Sequence, residues 1–133
     1  MPMIKARFIK PQDDRDHKLE IAELLSRLTA EFLHKDPAVT SVLVERADPA
    51  DWFLGGANIS DQQLGTFYVE VSITEHTNTK DETTEWVRRV YDGMNSIVGP
   101  AHDASYVLVH AVDGDAYGFG GLTQNLRWAS SKR

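Results

Sequence analysis

Cysteine is absent from this chain of 133 residues, which excludes disulfides, a thiol nucleophile and any thiolate metal site. Long apolar runs are absent too. Nothing approaches the roughly 20 residues of a membrane span, and the opening MPMIKARFIKPQDD lacks the apolar stretch of a secretory signal. Positive charge is scarce: 14 Lys and Arg face 20 Asp and Glu, a formal net charge of −6. No basic cluster offers a nucleic-acid footprint. His17, His34 and His102 lack the spacing with Asp or Glu that closes a metal site. Neither Gly-Gly pair precedes a helix opening with Lys-Ser/Thr, so no phosphate loop is read, and linear order supports no Ser-His-Asp arrangement. The expectation is a cytoplasmic protein that uses no membrane, nucleic acid, metal or cofactor. An anionic substrate stays possible, because a locally positive pocket can hold one whatever the net charge.

What is present is a repeat. Displaced by 65 positions the chain falls into register with itself: Val42-Leu43-Val44 lies on Val107-Leu108-Val109, Asp48 on Asp113, Trp52 on Tyr117, Leu54 on Phe119, and Gly55-Gly56 on Gly120-Gly121. Such self-similarity marks one supersecondary unit written twice. The length suits one domain with a real core, read as 1–128 with pseudo-repeats 2–65 and 66–128 and a tail at 129–133.

Each copy reads strand, helix, strand. In the first, Ile4, Ala6 and Phe8 alternate with Lys5 and Arg7, the period of a half-buried strand. Pro11 breaks it, and Asp13, Asp14 and Asp16 suit a helix N-terminus. Ile21, Leu24, Leu25, Leu28 and Phe32 form a helical stripe, and a second strand is predicted over about 39–46. In the second copy, 67–73 alternates and Thr79 with Glu82 has capping-box spacing. Trp86, Val87, Val90, Tyr91, Met94 and Ile97 form the stripe, Gly99-Pro100 ends it, and 106–112 is the last long strand. A β-α-β unit makes its strands parallel. The fold class is therefore α/β: tandem β-α-β units forming a four-stranded sheet with two helices on one face. Leu122 to Arg133 reads as an extension.

The copies disagree chemically at one position. Where the second has Phe67, the first has Pro2. Removal of Met1 would make Pro2 a secondary amine. An α-amino group titrates near 8, and burial lowers that by disfavouring charge, so such a base is matched to moving protons on carbon. A retained Met1 would make the same nitrogen an ordinary amide.

A strand opening with Pro2, a β-α-β unit and a Gly-Gly turn after an aromatic together resemble the tautomerase superfamily, which includes 4-oxalocrotonate tautomerase, malonate semialdehyde decarboxylase, the 3-chloroacrylic acid dehalogenases and macrophage migration inhibitory factor (MIF). The doubled length resembles its fused members. Trp52-Phe53-Leu54-Gly55-Gly56 is similar to a loop of cis-3-chloroacrylic acid dehalogenase, and Tyr117-Gly118-Phe119-Gly120-Gly121 to the C-terminal loop of malonate semialdehyde decarboxylase. The resemblance spans about 2–121. It implies a tautomerase/MIF-like fold, a homotrimer, and Pro2 as general base or acid in an apolar pocket where arginines hold a substrate carboxylate.

Those arginines are missing. The early position falls on Gln12, the second on about 40–42, and the pair after the third strand on Thr74-Glu75-His76-Thr77-Asn78. The water-activating tyrosine and glutamate of the dehalogenases fall near Leu108 and Gly118. The foremost stand-in is His76, with Arg46 and Arg127 behind it, and Trp52, Tyr117 and Phe119 as pocket walls. Each has a plainer reading as a solvated loop residue, a strand end or a core anchor. The expected activity is cofactor-independent tautomerisation of a small 2-oxo acid or enol. The alternatives are a decarboxylase, hydratase or dehalogenase of the same superfamily, or a non-catalytic trimeric binding protein.

Overall fold

The computed structural model describes residues 2–11 and 15–131. Met1, Gln12, Asp13 and Asp14 lie outside them, and with them the Met1 question, the Gln12 position and two of the three acidic residues before the first helix. The first unit comprises β1 (Met3–Ile9), α1 (Lys18–Leu33) and β2 (Ser41–Arg46), and the second β5 (Thr66–Thr74), α2 (Lys80–Val98) and β6 (Tyr106–Val112). Between them a hairpin joins β3 (Phe53–Leu54) to β4 (Ala57–Asn58). After β6 come β7 (Gly118–Phe119), β8 (Leu122–Thr123) and α3 (Gln124–Ser131). From Leu122 to Ser131 the extension read from the sequence is therefore the second strand of a hairpin and a short helix, and Lys132 and Arg133, the end of the tail read at 129–133, lie outside the described residues.

The sheet runs β2-β1-β5-β6. β1 pairs parallel to β2 and antiparallel to β5, which is parallel to β6. Alternation decides its faces. Ile4, Ala6, Phe8, Phe67, Val69, Val71 and Ile73 are buried under the helices, where they meet Ile21, Leu25 and Leu28 of α1 and Trp86, Val90 and Met94 of α2. Trp86 is fully buried, and its indole N–H donates to Thr29 Oγ1 at 3.2 Å, so the core satisfies its one large polar edge.

The open face is charged but internally paired. Arg7 Nε lies 3.4 Å from Glu45 Oε1, and His110 Nε2 lies 2.9 Å from Glu70 Oε2. The His110 hydrogen bond holds the Glu70 carboxyl below its usual range. Leu43 on edge strand β2, and Tyr106 and Leu108 on edge strand β6, remain exposed. Among the described residues no helix is long and apolar enough to cross a membrane.

The α2 N-terminus carries the capping box read from the sequence. Glu82 N donates to Thr79 Oγ1 at 3.1 Å, and Thr79 N to Glu82 Oε1 at 2.8 Å. Removing the cap hydroxyl leaves an amide donor unsatisfied, so Thr79→Ala is expected to lower unfolding free energy by about 1 kcal/mol. Urea denaturation would register this as a lower midpoint at unchanged slope.

Candidate functional site

The topology selects one end of the sheet. Because α1 runs back against β1, its C-terminus returns to the start of β1. Because β5 is antiparallel to β1, its end, and that of the parallel β6, reach the same place. Pro2, the 34–40 connection, the turn after Thr74, the β7–β8 hairpin and the start of α3 therefore converge.

Pro2 is buried, and its carbonyl accepts the Ser41 N–H at 3.2 Å, which ties the strand end to β2. Over it opens a cleft of about 440 Å³ lined by Pro2, Val39, Ser41, Tyr117, Phe119 and Gln124 among others, with no charged side chain among the described residues of its lining. The hairpin that walls it turns through Gly120 and Gly121 at φ 62° and 84°, the left-handed conformation a two-residue hairpin of matched twist requires. A Cβ on Gly118 would sit 1.8 Å from the Leu122 carbonyl oxygen, so only glycine permits this close crossing. Arg127 clamps the outside: its guanidinium stacks 3.9 Å from the Phe119 ring centre, and Nη2 donates to the Phe119 carbonyl at 2.9 Å.

A second groove of about 310 Å³, sharing Gln124 with the first, is lined by Lys35, Thr74, Glu75, Thr77, Gln124 and Trp128 among others. Lys35 Nζ donates to Thr77 Oγ1 at 2.9 Å. Burial lowers its pKa below the ordinary lysine value, against the opposing pull of Glu82. Thr74 Oγ1 and Tyr117 Oη, 2.8 Å apart, tie β5 to the residue that opens the cleft's hairpin wall. Burial raises the Tyr117 pKa, and its bond to Thr74 opposes that, so this hydroxyl is a neutral donor. Gln124 lines both spaces. The site thus sets an uncharged cleft at Pro2 beside a groove lined by the Lys35 ammonium and the Glu75 carboxylate.

Of the residues singled out in the sequence, Pro2, Tyr117 and Phe119 line the cleft. Arg127 backs its wall. His76 follows β5 at the correct end of the sheet, but its side chain is 87% exposed and lines neither space. Arg46 and Trp52 stand at the opposite end. Arg46 pairs with Phe8 in the β1–β2 register, six residues along β1 from Pro2 and so roughly 20 Å away at strand rise. Its guanidinium donates to the Lys10 and Arg15 carbonyls and lies 5.5 Å from the Phe8 ring centre. Lys35 and Gln124 were not picked out. Lys35 had a topological signal, being the basic residue in the connection that must return to the start of β1. Gln124 had none, since it depended on the β7–β8 hairpin being recognised. Among the described residues no three His, Asp or Glu side chains group to hold a metal ion.

No family model matches the chain, and no curated protein does either. Solved structures do match. A wild-type Q0 fused 4-OT, a symmetric trimer, superposes with a TM-score of 0.79 at 12% identity, covering 94% of this chain and 98% of that one. A native fused 4-OT gives 0.74 at 18%, covering 92% and 96%. A MIF-like protein from Entamoeba histolytica gives 0.72 at 14%, covering 92% and 97%. The chain has the fold of the tautomerase superfamily, in its double β-α-β form.

Proposed function

We propose that the protein is a cofactor-independent tautomerase of small 2-oxo acids or their enols, with Pro2, freed by loss of Met1, as the base. The observation that carries this reading is the buried Pro2 beneath a cleft whose described lining is uncharged. The substrate carboxylate meets Lys35, whose partial burial makes the pair stronger than it would be in water. The proton-bearing carbon faces the Pro2 nitrogen, whose free-base form is favoured by its apolar surroundings. Charge developing on the adjacent oxygen is met by the Tyr117 hydroxyl, which is free to donate to it when Thr74 Oγ1, 2.8 Å away, takes the donor role in their shared bond. The same amine could add to a carbonyl and form an iminium, so decarboxylation is the sibling chemistry. A non-catalytic binding protein remains the reading for a chain that keeps Met1.

We further infer that three copies assemble. Among the described residues edge strands β2 and β6 have one unpaired side each and carry exposed Leu43, Tyr106 and Leu108, and unpaired edges invite strand partners. The matched structures include trimers. The test has three readouts on one preparation: intact mass lacking Met1, sedimentation near three chains, and ketonisation of phenylenolpyruvate above the uncatalysed rate. Protein with Met1 removed but no activity would overturn the tautomerase reading, and a monomer at micromolar concentration the assembly.

A further inference from the structure

We propose that Gln124 is a specificity-determining residue whose side-chain amide holds the oxygen on the carbon next to the substrate carboxylate. This rests on the functional reading above and adds to it the residue that recognises a 2-oxo group.

The proposal comes from placement and an unused donor. Gln124 lines both the Pro2 cleft and the Lys35 groove. Its backbone N–H donates to the Tyr117 carbonyl at 2.9 Å, which fixes it against the hairpin. Its neighbours on α3 are committed. Asn125 Nδ2 donates to Asp115 Oδ1 at 2.9 Å, and Arg127 is bound to Phe119. Among the described residues the Gln124 side-chain amide has no hydrogen bond at all. A primary amide offers two donors and an acceptor, and here all three are free at the junction of the two spaces. An acid seated with its carboxylate on Lys35 and its third carbon at Pro2 carries its second carbon, and any oxygen there, past that junction.

The rest of the substrate follows from the lining. Among the described residues the Pro2 cleft is lined by no cation, so a second carboxylate directed into it would be desolvated without a partner, which is costly. The site therefore fits monocarboxylic 2-oxo acids with an uncharged, apolar third-carbon substituent, packed against Val39 and Phe119.

Two unreactive acids separate the contributions: benzoylformate, which has the 2-oxo oxygen, and phenylacetate, which does not. Calorimetric titration of the wild type is expected to show benzoylformate binding about 5- to 10-fold more tightly, the range of one neutral hydrogen bond. Gln124→Leu should reduce that preference, by weakening benzoylformate alone, to the part supplied by the Tyr117 hydroxyl. Gln124→Glu should weaken both acids through like charge. Lys35→Met should weaken both and keep the preference. An unaltered preference in Gln124→Leu, with a thermal midpoint matching wild type, would overturn the Gln124 assignment alone. Failure of wild type to bind either acid, together with absent ketonisation, would overturn the functional reading and this inference with it.

Discussion

Replacing Pro2 by alanine is expected to lower kcat/KM for phenylenolpyruvate ketonisation by about two orders of magnitude or more, the usual worth of a positioned general base. The alanine variant still presents an α-amine, so charge type is kept. What it loses is the ring that fixes the nitrogen's direction at a strand end whose carbonyl is already bound to Ser41. A primary amine rotates about its Cα–N bond and samples unproductive orientations. A variant with one residue retained before Pro2 should lose activity more completely, because an amide nitrogen has no basic lone pair. Circular dichroism should be unchanged in both, since the Pro2 ring lies at the edge of the core and not under the helices. Equal activity in wild type and both variants would remove Pro2 from the chemistry and return the fold to a binding role.

Much of this architecture was written in the sequence, and the reason is periodicity. Alternation at Ile4, Ala6 and Phe8 and helical spacing at Trp86, Val90 and Met94 both report which face is buried, and both faces are buried as read. The capping box at Thr79 and Glu82 was legible because it is purely local. The C-terminal helix was not. An eight-residue helix is too short to persist on its own, and α3 is held by contacts to the hairpin segment just before it: Arg127 on Phe119, and Asn125 N on the Gly114 carbonyl at 3.1 Å. Nothing in QNLRWASS announces these. The hairpins were half legible, since Gly-Gly marked each turn but not the two-residue strands around it.

The site was less legible than the fold for a different reason. Residue type and place within a strand do not by themselves say which end of the sheet each strand end reaches. With β2 parallel to β1, the end of β2 is remote from the start of β1, so Arg46 cannot serve the Pro2 of its own chain. The same topology brings the connection after α1 back to Pro2, and with it Lys35. His76 satisfied topology but not orientation. Its backbone adopts φ 65°, and its ring projects into solvent near Glu75. Strand order alone favours Lys35, whereas the direction of the His76 side chain is set by its turn and by no pattern in the sequence.

Lys35→Met should lower kcat/KM for 2-oxo acids by about 10- to 150-fold, the equivalent of the 1.5–3 kcal/mol carried by a hydrogen bond to a charged group, and chiefly through KM. Methionine keeps the length and removes the ammonium, so the loss reports charge and not volume. The pH profile gives the sharper test. Pro2 must be unprotonated, so kcat/KM rises as pH rises through its pKa. Lys35 must be protonated, so kcat/KM falls as pH rises through the lysine pKa, which burial places below its ordinary 10.5. The wild-type profile is then bell-shaped, with a descending limb earlier than a solvent-exposed lysine would give. Lys35→Met should lack that limb at a uniformly lower level. Lys35→Arg keeps the charge on a group that stays protonated beyond pH 12, so it should retain part of the activity while its profile stays flat on the alkaline side. Glu82→Gln removes the carboxylate that opposes the burial effect and should move the wild-type limb to lower pH. A descending limb that survives unchanged in Lys35→Met, or a KM that does not rise, would mean that another group anchors the carboxylate.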